Sequence, residues 1–399
     1  MMASIAESVP DEKLDIAGAA SIFFVMATGF LLPISTAGVN IVLPLAVIAS
    51  VFAGDFKRHR NLVINNPIVW ALLGFLATYL IGASYTIAPL DDVLVSLRKV
   101  GKLLYLPLLL PMFSCPRKRK TFFYAFIIAV FITGILGAAK FFFNLDIGSQ
   151  FTSAAVFKSH IQTNFLMAST VYLLMVESET YTQRMRILVW VVVAIMTYYI
   201  WFLSPGRSGY IIYIVLMLFY SLQRYGFRSL FITFLLSIML FYIAYGRMHE
   251  AQQDYEHYLI GNANSSVGQR IGFFSNTKNL IFEKPFLGWG TGSFKQVYAQ
   301  KYGTSGPLAT RNPHNEYAMI ASQLGLMGII ALFTFFSVAW YKSCELPDKS
   351  CRIARAVILA ISIGSLANSW LSDVTEGLFF AVFLAFCFAA ATRSFEVKE

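Results

Sequence analysis

Apolar residues run through this chain in long unbroken stretches, near 16–32, 38–54, 67–87, 92–112, 121–143, 160–177, 186–204, 209–222, 229–246, 315–340, 353–371 and 375–392. Most approach the roughly 18–20 residues that an α-helix needs to cross the hydrocarbon core of a bilayer. The two-residue alternation of an outer-membrane barrel strand is absent from them. Without water, a spanning backbone must satisfy its own N–H and C=O groups, which a helix does within one segment. The pattern therefore predicts an all-α, polytopic membrane protein with about twelve transmembrane helices. The runs at 38–54 and 209–222 are short and fit helices that are tilted, broken or partly buried.

The polar connectors alternate in character. One set carries Lys57, Arg58 and Arg60; Arg117, Lys118, Arg119 and Lys120; Arg184 and Arg186; Arg224 and Arg228; and Lys342, Lys349 and Arg352. The other set, such as 33–38 and 82–90, is nearly free of cations. The positive-inside rule puts the first set, and both termini, in the cytoplasm. Residues 1–245 then hold nine spans, 246–313 form a large periplasmic loop, and 314–399 hold three spans and a cytoplasmic tail. The loop is rich in Trp, Phe, Tyr and Leu, so it is expected to fold, with amphipathic helices of its own.

Composition sharpens this picture in three places. With 57% of residues hydrophobic and 13% charged, a soluble fold could not cover its apolar surface. The net charge of +10 lies in the connectors, where it reads as topology and attraction to anionic lipid headgroups rather than nucleic-acid binding. Cys115, Cys344, Cys351 and Cys387 lack metal-ligand spacing, and three fall in cytoplasmic connectors, so neither a disulfide nor a zinc site is expected. The polar stretch 1–14 lacks a cleavable signal pattern, which leaves the first helix as the insertion signal. No internal repeat is visible, and that argues against a secondary transporter.

Candidate chemistry gathers in the outward-facing segments. The connector Ser204-Pro205-Gly206-Arg207-Ser208-Gly209 is short and faces outward, yet carries an arginine. Arg207 suits a lipid headgroup phosphate, and simple snorkelling explains it equally. In the loop, Ser266-Val267-Gly268-Gln269 has capping-box spacing, and Ile271, Phe274, Ile281 and Phe282 ahead of Pro285 predict an amphipathic helix of about four turns. Arg270 falls in its first turn, where the helix dipole disfavours a cation unless an anion binds there too. The alternative is a solvated Arg270 or one paired with Asp254 or Glu256. His314, in Arg311-Asn312-Pro313-His314-Asn315-Glu316-Tyr317, opens the tenth span and reads either as a general base or as a helix cap. His249 and His257 share the loop without such framing, His59 is cytoplasmic, and His160 opens a helix. The histidines and the Asp91-Asp92 pair lack the spacing of a metal site. Gly288-Trp289-Gly290-Thr291-Gly292-Ser293-Phe294 follows no strand and is not a dinucleotide fingerprint. It reads as a tight turn, approaching a ligand or packing the loop.

Taken together, Ser204–Gly209, Arg270, Pro285–Phe294 and His314-Asn315-Glu316-Tyr317 resemble the O-antigen ligase and polymerase superfamily of envelope glycosyltransferases, in order and in placement before the tenth helix. The resemblance implies a GT-C-like fold and a metal-independent, inverting transfer from an undecaprenyl-diphosphate-linked glycan at the periplasmic face. It implies that Arg207 and Arg270 hold the donor diphosphate and that His314 is the base toward the acceptor hydroxyl, with Asn315, Glu316 and Tyr317 as acceptor or loop support. No cofactor is implied. The acceptor of a ligase is lipid A–core; that of a polymerase is another carrier-linked glycan. The long loop ahead of the tenth helix favours the ligase. A transporter or flippase is the competing class, and it calls for ionisable residues deep in several spans. Here the spans hold Arg98, Lys99 and Lys102 in the fourth and Lys140 in the fifth. The first three suit a second phosphate contact, or a span shifted toward an interface.

Overall fold

Each predicted apolar run contains helix in the computed structural model, which describes residues 16–148, 154–243 and 266–391. The N-terminal stretch 1–14, Asp254, Glu256, His249, His257 and the first part of the expected loop lie outside the described residues. The helices are α1 (Ile16–Ile34), α2 (Thr36–Phe52), α3 (Asp55–Ile64), α4 (Pro67–Ser84), α5 (Leu90–Gly101), α6 (Tyr105–Phe113), α7 (Pro116–Phe143) and α8 (His160–Ser178). They continue with α9 (Gln183–Tyr198), α10 (Arg207–Tyr225), α11 (Phe227–Ile243), α12 (Ser266–Glu283), α13 (Phe294–Tyr302), α14 (Glu316–Lys342), α15 (Asp348–Gly364) and α16 (Val374–Phe388).

Among the described residues, six helical stretches are long and apolar enough to span a bilayer: 16–34, 67–84, 116–143, 183–203, 316–345 and 374–391. A seventh is the pair α2 and α3, bent by 106° at the left-handed Gly54. The other expected spans are present as helices, but they are shorter or more polar. α8 explains how polarity is tolerated. From Thr163 to Ser178 nearly every side chain is buried, so Asn164, Ser169 and Thr170 meet protein rather than lipid.

Two predicted spans change shape. The run at 92–112 is α5, a 3₁₀ turn at Lys102–Leu104, and α6. Its charges explain the division, because Arg98 and Lys99 lie exposed on the last turn of α5 while Lys102 turns inward. The run at 353–371 stops at Gly364. Trp370, wholly buried against Phe165 at 4.7 Å between ring centroids, lies over Gly364, where a Cβ would come within 1.8 Å of the indole. The chain must therefore leave the helix to place that ring, and residues 365–373 form a folded turn.

The amphipathic face of α12 also differs from expectation. Phe273, Thr277 and Leu280 are buried, whereas Phe274 and Phe282 are exposed. α12 and α13 share a small core of Phe273, Leu280, Phe294, Val297 and Tyr298. Their side chains settle that face, which local periodicity placed one position away.

The glycine-rich turn packs the loop onto the helical domain. α14 breaks at Gly325, whose φ of +60° suits glycine, and the break strands carbonyls at 322–323 and amides at 326–327. The turn supplies the missing partners. Trp289 and Gly290 donate to the Ser322 and Gln323 carbonyls at 3.0 and 2.8 Å, and Leu326 and Met327 donate to those of Pro285 and Phe286 at 2.8 and 3.2 Å. Gly290 and Gly292, both at positive φ, sit so close to Thr86 and Asp92 that a Cβ would approach backbone atoms at 2.3 and 2.7 Å.

Candidate functional site

At one end of the helices, α9 finishes in a π-turn at Tyr199–Leu203, and the chain extends through Ser204 to Gly206 before α10 begins at Arg207. Side chains help to hold this turn. Tyr210 donates to the Ser204 carbonyl at 2.9 Å, and Asn164 of α8 donates to the Gly206 carbonyl at 3.2 Å. Gly206 and Gly209 let α10 meet α8, since a Cβ at 209 would stand 2.3 Å from the Asn164 side chain. Arg207 is thereby fixed at a helix N-terminus, where the helix dipole favours an anion.

Arg270 approaches from α12. Burial, and then the Arg207 guanidinium beside it, lower its affinity for its proton. The Arg270 charge also acts on His160, the first residue of α8. The N-terminal regions of α10 and α12 thus bring two guanidiniums within electrostatic reach of each other, with the His160 imidazole of α8 nearby. One turn further along α12, Phe273 stacks on the His314 imidazole, with 5.9 Å between ring centroids and 25° between planes. α12 therefore links the arginine pair to the histidine.

His314 has a left-handed backbone, φ +53°, which is unusual for a residue with a Cβ. Asn312 Oδ1 stabilises that turn by accepting the His314 N–H at 2.8 Å and the Ser369 hydroxyl at 2.8 Å. The next three residues bind the same neighbourhood. Asn315 caps α14 through the Ala318 amide at 2.9 Å and donates to the Leu366 carbonyl at 2.9 Å. Glu316 is fully buried and accepts from the Ser372 hydroxyl and amide at 2.7 and 3.1 Å. Tyr317 donates to the Ser362 carbonyl at 2.8 Å. All three sew α14 to the 362–373 region.

The cations of the fourth run separate. Lys102 donates to the carbonyls of Ser372 and Asp373 at 2.6 and 2.5 Å, so it pins the turn behind His314. Burial pushes the Asp373 carboxyl up, against the pull of Lys102, Lys99 and His314. Arg98 and Lys99 stay exposed. Lys140 donates to the Ala155 carbonyl at 3.1 Å.

Sequence reasoning did not single out Lys158, Asn312, Phe273, Asn368 or Asp373. Lys158 is buried and donates to Thr36 and Thr375 at 2.5 and 3.2 Å, tying the lead-in of α8 to α16. Asn312 carried a readable signal in its Asn-Pro-His turn. The others join the site only through tertiary contacts.

A bundle of apolar helices, with guanidiniums and a constrained histidine at one end, defines a multi-pass membrane protein built around a polar site. Residues 191–333, which contain Arg207, Arg270, the glycine-rich turn and His314, match the family model described as O-antigen ligase. Over this stretch the chain is similar to the O-antigen ligase and polymerase superfamily. The chain is also similar to a Haemophilus influenzae protein described as uncharacterized, at 29% identity over 261 residues, covering 58% of this chain. The match spans 61% of that relative's length.

Proposed function

We propose that the protein is an O-antigen ligase, transferring a glycan from undecaprenyl diphosphate to lipid A–core at the periplasmic face of the inner membrane. The observation that carries this reading is the like-charged pair Arg207 and Arg270, joined to His314 through one turn of α12. Each guanidinium can make paired, charge-assisted hydrogen bonds to a diphosphate. As the sugar–phosphate bond breaks, charge grows on the leaving diphosphate, so the same contacts strengthen in the transition state. His314 removes the proton of the acceptor hydroxyl while that oxygen attacks the anomeric carbon from the opposite face, which inverts the configuration. Two fixed guanidiniums supply the positive charge, so the scheme needs neither metal nor cofactor. The polyprenyl tail lies along the apolar helices, both termini are cytoplasmic, and about twelve crossings complete the topology.

Purified protein incubated with an undecaprenyl-diphosphate glycan and lipid A–core in EDTA tests this reading on a gel. Glycan on lipid A–core is the expected result. A ladder of longer carrier-linked glycan makes the protein a polymerase instead. Activity lost in EDTA and restored by magnesium or manganese overturns the metal-free scheme, and no transfer of either kind favours lipid-linked glycan transport.

A further inference from the structure

Three constraints act on His314, and each addresses a different part of the residue. Asn312 holds its backbone, Phe273 covers one ring face, and Asn368 Oδ1 lies 3.2 Å from Nδ1. Asn368 is itself immobilised. It is 7% exposed, its amide donates to the Gly364 carbonyl at 3.1 Å, and the adjacent Ser365 carbonyl accepts the Glu316 amide at 2.9 Å. The buried Trp370 anchors the same turn.

We infer that Asn368 is a positioning residue: it accepts the Nδ1 proton of His314 and so leaves Nε2 unprotonated to take the proton of the acceptor hydroxyl. The inference rests on the reading of His314 as the base. A neutral imidazole carries one proton, and the hydrogen bond made by one ring nitrogen decides which nitrogen keeps it. In the transfer, the acceptor oxygen forms a bond to the anomeric carbon, and the carbon–oxygen bond to the diphosphate breaks with its electron pair going to the diphosphate. The hydroxyl proton passes to Nε2, giving an imidazolium that later releases it to solvent. A neutral amide behind Nδ1 orients the ring without adding a second negative charge beside that of Asp373. Asp373 is the charged group that interacts with His314; Lys99 and Lys102 on the 90–104 run act on the same carboxyl, Glu316 on α14 interacts with Lys102 and Asp373, and Arg270 lies one turn before Phe273 on α12.

Full-length protein carrying ¹⁵N-histidine, with His314→Gln to assign the signal, reports the tautomer directly. The wild-type spectrum is expected to show a protonated Nδ1 and a bare Nε2. Asn368→Leu should lower kcat by roughly tenfold or more with donor KM unchanged. Asn368→Asp should move the acid limb of the pH–rate profile upward by about one pH unit, because a carboxylate favours the imidazolium, while keeping turnover at higher pH. A merely structural Asn368 would alter Tm and expression but leave the position of that limb unmoved. A proton on Nε2, or an Asn368→Asp profile superimposable on wild type, overturns the inference even when His314→Gln is inactive. Near-wild-type turnover by His314→Gln instead removes the base itself, and with it the underlying reading.

Discussion

The two ends of the helical domain handle positive charge in opposite ways. At the end where α8 and α10 finish, cations meet carboxylates. Arg352 grips Glu179 through two contacts of 2.8 Å, Lys349 reaches Glu177 at 3.1 Å, and Lys118 pairs with Asp55 at 2.5 Å in a buried site. At the end where the same helices begin, the Arg207 charge acts on Arg270 and the Arg270 charge on His160. Opposite charges brought together hold helices in place, whereas neighbouring guanidiniums suit an anionic ligand that can accept from both. One end is braced by ion pairs, and the other is where we propose that the donor diphosphate binds.

Substitutions can break or sharpen that contrast. The largest effect belongs to His314→Ala, which should reduce transfer by about 10²–10⁴-fold while donor binding and Tm persist; single-turnover gels beside thermal unfolding check both. Arg207→Ala and Arg270→Ala should lower kcat/KM by about 10²–10³-fold and leave Tm close to that of wild type. Inorganic pyrophosphate should raise the Tm of wild type and fail to do so in the double variant. A response retained there would mean that the anion binds elsewhere. At the opposite end the effects should reverse, and Arg352→Ala should destabilise the protein by about 2 kcal/mol with turnover per folded molecule intact. The smallest effect is expected midway. Gly325→Ala should cost about 1 kcal/mol or more by straining the α14 break against Phe286, measured as a lower Tm.

The helices were legible because a bilayer imposes one periodicity and one length on every span. Their ends were less so, as 353–371 shows, because the buried Trp370 stops α15 at Gly364, and no local signal announces a ring packing from six residues away. Arg207, Arg270 and His314 could be singled out one by one because each breaks a local rule: a cation facing outward, a cation on a helix N-terminus, a histidine after Asn-Pro. Their association was invisible locally, since 62 residues lie between positions 207 and 270.

Charge pattern and hydropathy are properties of neighbours along the chain, so the amino-acid order alone decided that this is a helical membrane protein and which residues stand out in it. The partner of each such residue was decided only in three dimensions. Packing selects one face of α12, and with it sets Phe273 rather than Phe274 against His314. It also delivers Asn368 from the far side of α14 and α15 to the imidazole. A buried polar contact depends on geometry between segments distant in sequence, and that geometry exists only once the helices have packed.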